Sequence, residues 1–145
     1  MRAAGIRSEN GSPVMPLVRI DLSQSIAPQR RVLIGDIVYQ TMVDVLNVPA
    51  QDKFQIITAH DGDALRIDPT YLQIDRSAEA FIIDITLNTG RTVELKKQFY
   101  ASVVARLDAE ANVRPEDVFI VLTEVAKENW SFGNGEAQYA SDSRR

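Results

Sequence analysis

The chain repeats itself. Displaced by 65 residues without a gap, "NVPAQDKFQIIT" (47–58) falls on "NVRPEDVFIVLT" (112–123), with Asn, Val, Asp, Phe and Thr coinciding. The same offset sets Ile20 on Ile85 and Leu22 on Leu87. Both copies read in the same order. "PLVRIDL" and "AFIIDITL" are short and β-branched, with the alternation of strands. "APQRRVLIGDIVYQTMVDVLNV" carries Val32, Ile34, Ile37, Val38, Met42, Val45 and Leu46 near one helical stripe, with Pro28 suited to a first turn. "TVELKKQFYASVVARLDAEANV" is its amphipathic counterpart, and "KFQIITAH" and "DVFIVLTEV" close the two units as strands. Two β–α–β units, 16–60 and 81–125, are expected.

A β–α–β unit joins parallel strands through a right-handed crossover. Two of them side by side predict an α/β (α+β) fold: a four-stranded mixed sheet with both helices on one face. The other face is left bare and apolar and wants a cover, which predicts a homo-oligomer. Between the units, Asp61 to Ser77 is rich in Gly, Asp and Pro, with room for one short strand. Gly133 and Gly135 give a hairpin signal in the tail. Residues 1–15 are polar and patternless, and read as a disordered or artefactual extension ahead of a domain at 16–140; 141–145 read as a flexible tail.

With 145 residues and 45% apolar content, the chain can fill one core. It has no cysteine and one histidine, so no disulfide framework, thiolate site or structural zinc is expected, and no cofactor. A net charge of −4 argues against a nucleic acid or an anionic membrane as partner. No apolar run approaches the roughly 18 residues of a membrane span, and no signal peptide is evident, so a cytoplasmic location is expected.

Four short tokens narrow the reading: Met15–Pro16 at the head of the first strand, "VPAQD" (48–52), "FY" (99–100) and "WSFGNG" (130–135). Together with the duplicated unit, they make the chain resemble the tautomerase superfamily, which includes 4-oxalocrotonate tautomerase and macrophage migration inhibitory factor. Within it the chain is most similar to the malonate semialdehyde decarboxylase branch. The likeness runs from Pro16 to about Tyr139. It implies a trimer, and an amino-terminal proline, freed by loss of the initiator methionine, as the catalytic group. That residue is Pro16. While residues 1–15 stay attached its nitrogen is an amide and cannot exchange a proton, so a misassigned start or a cloning remnant is the expected origin of the extension.

The resemblance implies four further site residues. Arg91 matches the second arginine of an Arg-x-Arg pair; it follows Gly90 at a helix start, where backbone N–H groups favour an anion, and would grip a carboxylate. Thr89 stands in the first arginine's place, which weakens the decarboxylase reading. Asp52 matches an aspartate near the proline that helps place a water or proton. Its repeat mate is Asp117, so both could instead shape the turn before a strand. Trp130 and Phe132 are expected to wall the site, or to pack at a subunit boundary. His60 reads as a surface residue and Tyr100 as core or interface.

The implied function is that of an enzyme on small keto or enol carboxylates, with Pro16 moving the proton and Arg91 holding the carboxylate. Decarboxylation or hydration of a three-carbon oxo acid is the runner-up reaction. The same scaffold could also serve without catalysis, as a binding or signalling protein or as a purely structural oligomer.

Overall fold

The computed structural model describes residues 16–142, and the expectations for 1–15 and for 143–145 lie outside them. Strand β1 (Leu17–Ser23), helix α1 (Pro28–Leu46) and strand β2 (Gln55–His60) form the first unit; β3 (Phe81–Asn88), α2 (Val93–Ala111) and β4 (Val118–Val125) form the second. The sheet order is β2-β1-β3-β4. β1 pairs with β2 in parallel and β3 with β4 in parallel, while β1 and β3 run antiparallel at the centre. The sheet is therefore mixed, as the duplicated unit predicts.

The asparagine that the repeats share has a structural job. Asn47 and Asn112 end α1 and α2 with φ of 61° and 56°, and their neighbours' N–H groups turn back onto Met42 and Leu107. Asparagine accepts this left-handed conformation more readily than most residues, so each helix stops cleanly before its strand.

The core lies between the helices and one sheet face. Val18, Ile20 and Leu22 from β1 and Phe81, Ile83, Ile85 and Leu87 from β3 are buried against Ile34, Val38 and Met42 of α1 and Phe99, Val103 and Leu107 of α2. Tyr100 packs at the edge of this cluster. Val32 departs from the expected stripe: it is 58% exposed, and the true α1 face turns through Gly35, Tyr39 and Thr41 instead. Thr41 is tolerated in the core because its hydroxyl donates to the Ile37 carbonyl.

Three other expectations need correcting. The open sheet face is not simply apolar: exposed Ile56, Phe119 and Val121 share it with Arg19, Asp21, Asp84 and His60. No strand forms between residues 61 and 77. A short 3-10 turn at Tyr71–Gln73 takes its place, with Leu72 and Gln73 both at positive φ, which breaks extended backbone. The tail makes no hairpin either. Gly133, Asn134 and Gly135 all have positive φ and form a tight turn leading into helix α3 (Gln138–Asp142). Among the described residues, no helix is long and apolar enough to cross a membrane.

Candidate active site

Strand register gathers the expected site residues at one end of the sheet. Leu17 pairs with Thr86, so Pro16, one step earlier and buried, lies beside the exit of β3, where Leu87 and Asn88 are. On its other side, Val18 N–H donates to the Phe54 carbonyl, which places Asp52 at the entrance of β2 at the same end. Arg91 follows β3, and β4 ends here too, with Asn88 paired to Val125. Neighbouring strands lie about 4.8 Å apart, so Asp52 and Arg91 flank Pro16 from opposite sides. His60 is at the far end of β2, hydrogen-bonded to Asp21 at 2.7 Å, and takes no part.

Local chemistry sets Arg91. Gly90 has φ of +133°, a conformation glycine adopts freely, and this turn swings the chain out of β3. Thr92 then caps α2 by accepting the Leu95 N–H at 3.1 Å. Arg91 Nη1 donates to the Asn88 carbonyl at 3.0 Å, while its buried Nε has no partner. Burial pushes the guanidinium down from its ordinary value and the Glu124 charge opposes this. Arginine starts far above neutrality, so the group stays cationic. It is a half-buried cation with an unmatched donor beside a helix N-terminus, an arrangement whose chemistry suits an anion.

Asp52 and its repeat mate Asp117 have diverged. At the opposite end of the sheet, Asp117 accepts from the Ser77 N–H at 2.8 Å and the Ser77 hydroxyl at 2.6 Å, with Arg114 alongside. It ties down the loop before β3. Asp52 is equally buried, yet its Oδ2 has no hydrogen-bond partner. An unmatched buried oxygen costs about 1–3 kcal/mol, so Asp52 is not satisfied as Asp117 is.

The aromatic tokens come together as well. Trp130 donates its indole N–H to Asn88 Oδ1 at 2.6 Å and stacks on Phe132 at 5.3 Å. Phe132 meets Tyr139 of α3 edge-on at 4.8 Å. This aromatic cluster is thereby pinned to β3 by the same Asn88 whose carbonyl accepts from Arg91.

Sequence reasoning passed over Tyr39, Asn88, Lys96 and Glu124. Asn88, at the end of an apolar strand, is buried and joins Arg91 to Trp130. Tyr39 on α1 is buried near Asp52, its hydroxyl donating to the Pro49 carbonyl. Burial, then the Asp52 charge, push the Tyr39 phenol up from its ordinary value. The folded chain holds that proton more tightly, so this contribution is whole below the ordinary tyrosine value of about 10 and is lost as pH rises through the raised one. Stability is expected to fall above about pH 10, and Tyr39→Phe to flatten the fall, as read by urea midpoints across that range. An equally steep decline in Tyr39→Phe would contradict this assignment.

The sequence matches the family described as "Tautomerase enzyme" over residues 52–133. It is 40% identical over 124 residues to the probable tautomerase YusQ of Bacillus subtilis strain 168, covering 86% of this chain and 98% of that protein. This chain belongs to the tautomerase family. Among solved structures, FG41 malonate semialdehyde decarboxylase inhibited by 3-bromopropiolate is 40% identical, with a TM-score of 0.80 over 88% of this chain and 96% of that one. A fused 4-OT protein, a symmetric trimer, is 19% identical with a TM-score of 0.69 over 86% and 98% of the two chains, and shares the fold. This tautomerase thus lies near the malonate semialdehyde decarboxylase branch. The family match begins at Asp52 and ends at Gly133, so it takes in Arg91, Trp130 and Phe132.

Proposed function

We propose that the protein is an enzyme acting on small keto or enol carboxylates, with the Pro16 amine as its proton carrier and Arg91 as its carboxylate receptor. The observation that carries this reading is the meeting, at one sheet end, of a buried proline, a buried carboxylate with an unmatched oxygen and a half-buried arginine with an unmatched donor. The proline must be the first residue, by translation from Met15 or by cleavage there, since an amide nitrogen has no basic lone pair.

The steps follow from these groups. Arg91 takes the substrate carboxylate, and the α2 amide groups add to its field. Neutral Pro16 then removes a proton from the carbon next to the keto group, and the electron pair moves onto the carbonyl oxygen. The resulting secondary ammonium returns a proton at that oxygen to give the enol, and the reverse sequence gives the ketone. Two features favour the neutral amine at rest: burial, to which Trp130 and Phe132 would add, and the nearby Arg91 cation. Asp52 would receive the ammonium during the cycle or hold a water.

A second reaction, loss of carbon dioxide from a three-carbon oxo acid, is favoured by the 40% identity to a malonate semialdehyde decarboxylase. Here the carbon–carbon bond breaks, carbon dioxide leaves, the electron pair passes to the carbonyl oxygen as an enolate, and its return lets carbon take up a proton. Thr89 in place of an arginine counts against it, since only one arginine then holds the carboxylate. The trimer of the fused 4-OT protein supports a homotrimer for this chain, with the open sheet face covered by neighbouring copies. Exchange of the C3 protons of 2-oxobutyrate in heavy water, alongside carbon dioxide release from malonate semialdehyde, tests the two reactions. Absence of both signals from a chain beginning at Pro16 would overturn the enzymatic reading.

A further inference from the structure

One charged cluster lies behind the carboxylate receptor. Glu124, on the helix-facing side of β4, pairs its Oε1 with Lys96 Nζ of α2 at 3.0 Å. The two side chains are only 26% and 23% exposed, so the pair is partly withdrawn from water. Glu124 Oε2 is buried with no hydrogen-bond partner, and so is Arg91 Nε. An acceptor and a donor are thus both left unmatched at the same sheet end, where register sets Glu124 against Leu87, four residues before Arg91, and the Glu124 charge acts on Arg91. A partly buried carboxylate with two cations near it is divided between them, and whatever Lys96 does not neutralise falls on Arg91.

From this arrangement we infer that Glu124 is a positioning residue for Arg91, and that Lys96 sets how strongly it pulls. The Glu124 charge draws on the guanidinium without a direct hydrogen bond, Nε and Oε2 each being unpaired, and leaves the remaining donors of Arg91 to the substrate carboxylate. Lys96, by engaging Oε1, prevents Glu124 from claiming Arg91 outright and closing the receptor. The inference rests on the carboxylate-receptor reading of Arg91 and names the groups that tune it.

The two neighbours of Arg91 therefore act with opposite sign, which a merely structural ion pair would not do. Glu124→Gln keeps the shape but removes the counter-charge, so a small dicarboxylate binds more tightly. Lys96→Met leaves Glu124 to Arg91 alone, so the same ligand binds more weakly. Malonate is a suitable probe because it needs no turnover, and calorimetry on the protein as isolated reads its Kd. Changes of about three- to fivefold in opposite directions are expected, the range for a partly exposed ion pair. The Lys96→Met/Glu124→Gln double variant is expected to return near the original affinity.

Weakening of both single variants, or no change in either, would overturn the positioning role while leaving Arg91 as the receptor. No malonate binding by the unsubstituted protein, or undiminished binding by Arg91→Ala, would overturn the receptor reading itself. Lys96→Gln replaces Lys96→Met should the latter fail to fold.

Discussion

Pro16→Ala, in a chain beginning at residue 16, is expected to lower kcat for 2-oxobutyrate exchange on the order of 10²-fold, with KM little changed. The reasoning is chemical. A positioned base contributes about 10²–10⁴-fold, and alanine still offers a primary amine, so the loss sits at the lower end. KM should hold because the grip on the carboxylate is assigned to Arg91 and not to the amine. The substitution should also leave folding intact. Residue 16 precedes β1, the ladder to β2 starts with the Val18 N–H, and the buried side chains of β1 begin at Val18. Progress curves at saturating substrate check the first statement and thermal unfolding the second. An unchanged kcat would remove Pro16 from the mechanism.

Arg91→Ala is expected to act on the other constant, raising KM for any monocarboxylate substrate about 10- to 100-fold, the value of a charge-assisted hydrogen-bonded contact. Arg91 is ordered by Asn88 on one side and the Gly90 turn on the other, so little of its fork geometry must be organised when substrate arrives. Arg91→Lys should recover only part of the loss, because an ammonium cannot match a carboxylate with two parallel donors. A substrate analogue with an amide in place of the carboxylate should be insensitive to both variants. Equal sensitivity of acid and amide would show that Arg91 supports structure and not binding.

Much of this architecture was legible because it was written twice. A strand of alternating β-branched residues is ambiguous alone, but Ile20 with Ile85 and Leu22 with Leu87 carry the same period at one offset, and both pairs proved to be core. The shared asparagine also acquired a reason, as the left-handed end of each helix. What the repeat did not carry were side-chain contacts between elements distant in the chain. Arg91 was readable from its place after Gly90, whereas nothing in the strand "DVFIVLTEV" singles out Glu124. It pairs with Lys96 reaching across from α2, a contact between elements that no local pattern encodes. Asn88 hid for a related reason: a polar residue closing an apolar strand reads as the start of a turn, and its role appears only once Trp130, 42 residues later, folds back onto it. The loop from 61 to 77 misled because a few apolar side chains imitate a strand, while two left-handed residues, Leu72 and Gln73, forbid one.

The account stands on one chemical condition, a free secondary amine at Pro16. The direct test is proton exchange at C3 of 2-oxobutyrate, followed by NMR in heavy water, for a chain beginning at Pro16 and for one that retains residues 1–15. Exchange by the first and background rates from the second are predicted, since the two differ in whether that nitrogen is an amine or an amide. Equal exchange by both would contradict the account, because the reaction would then proceed without the group assigned to carry the proton.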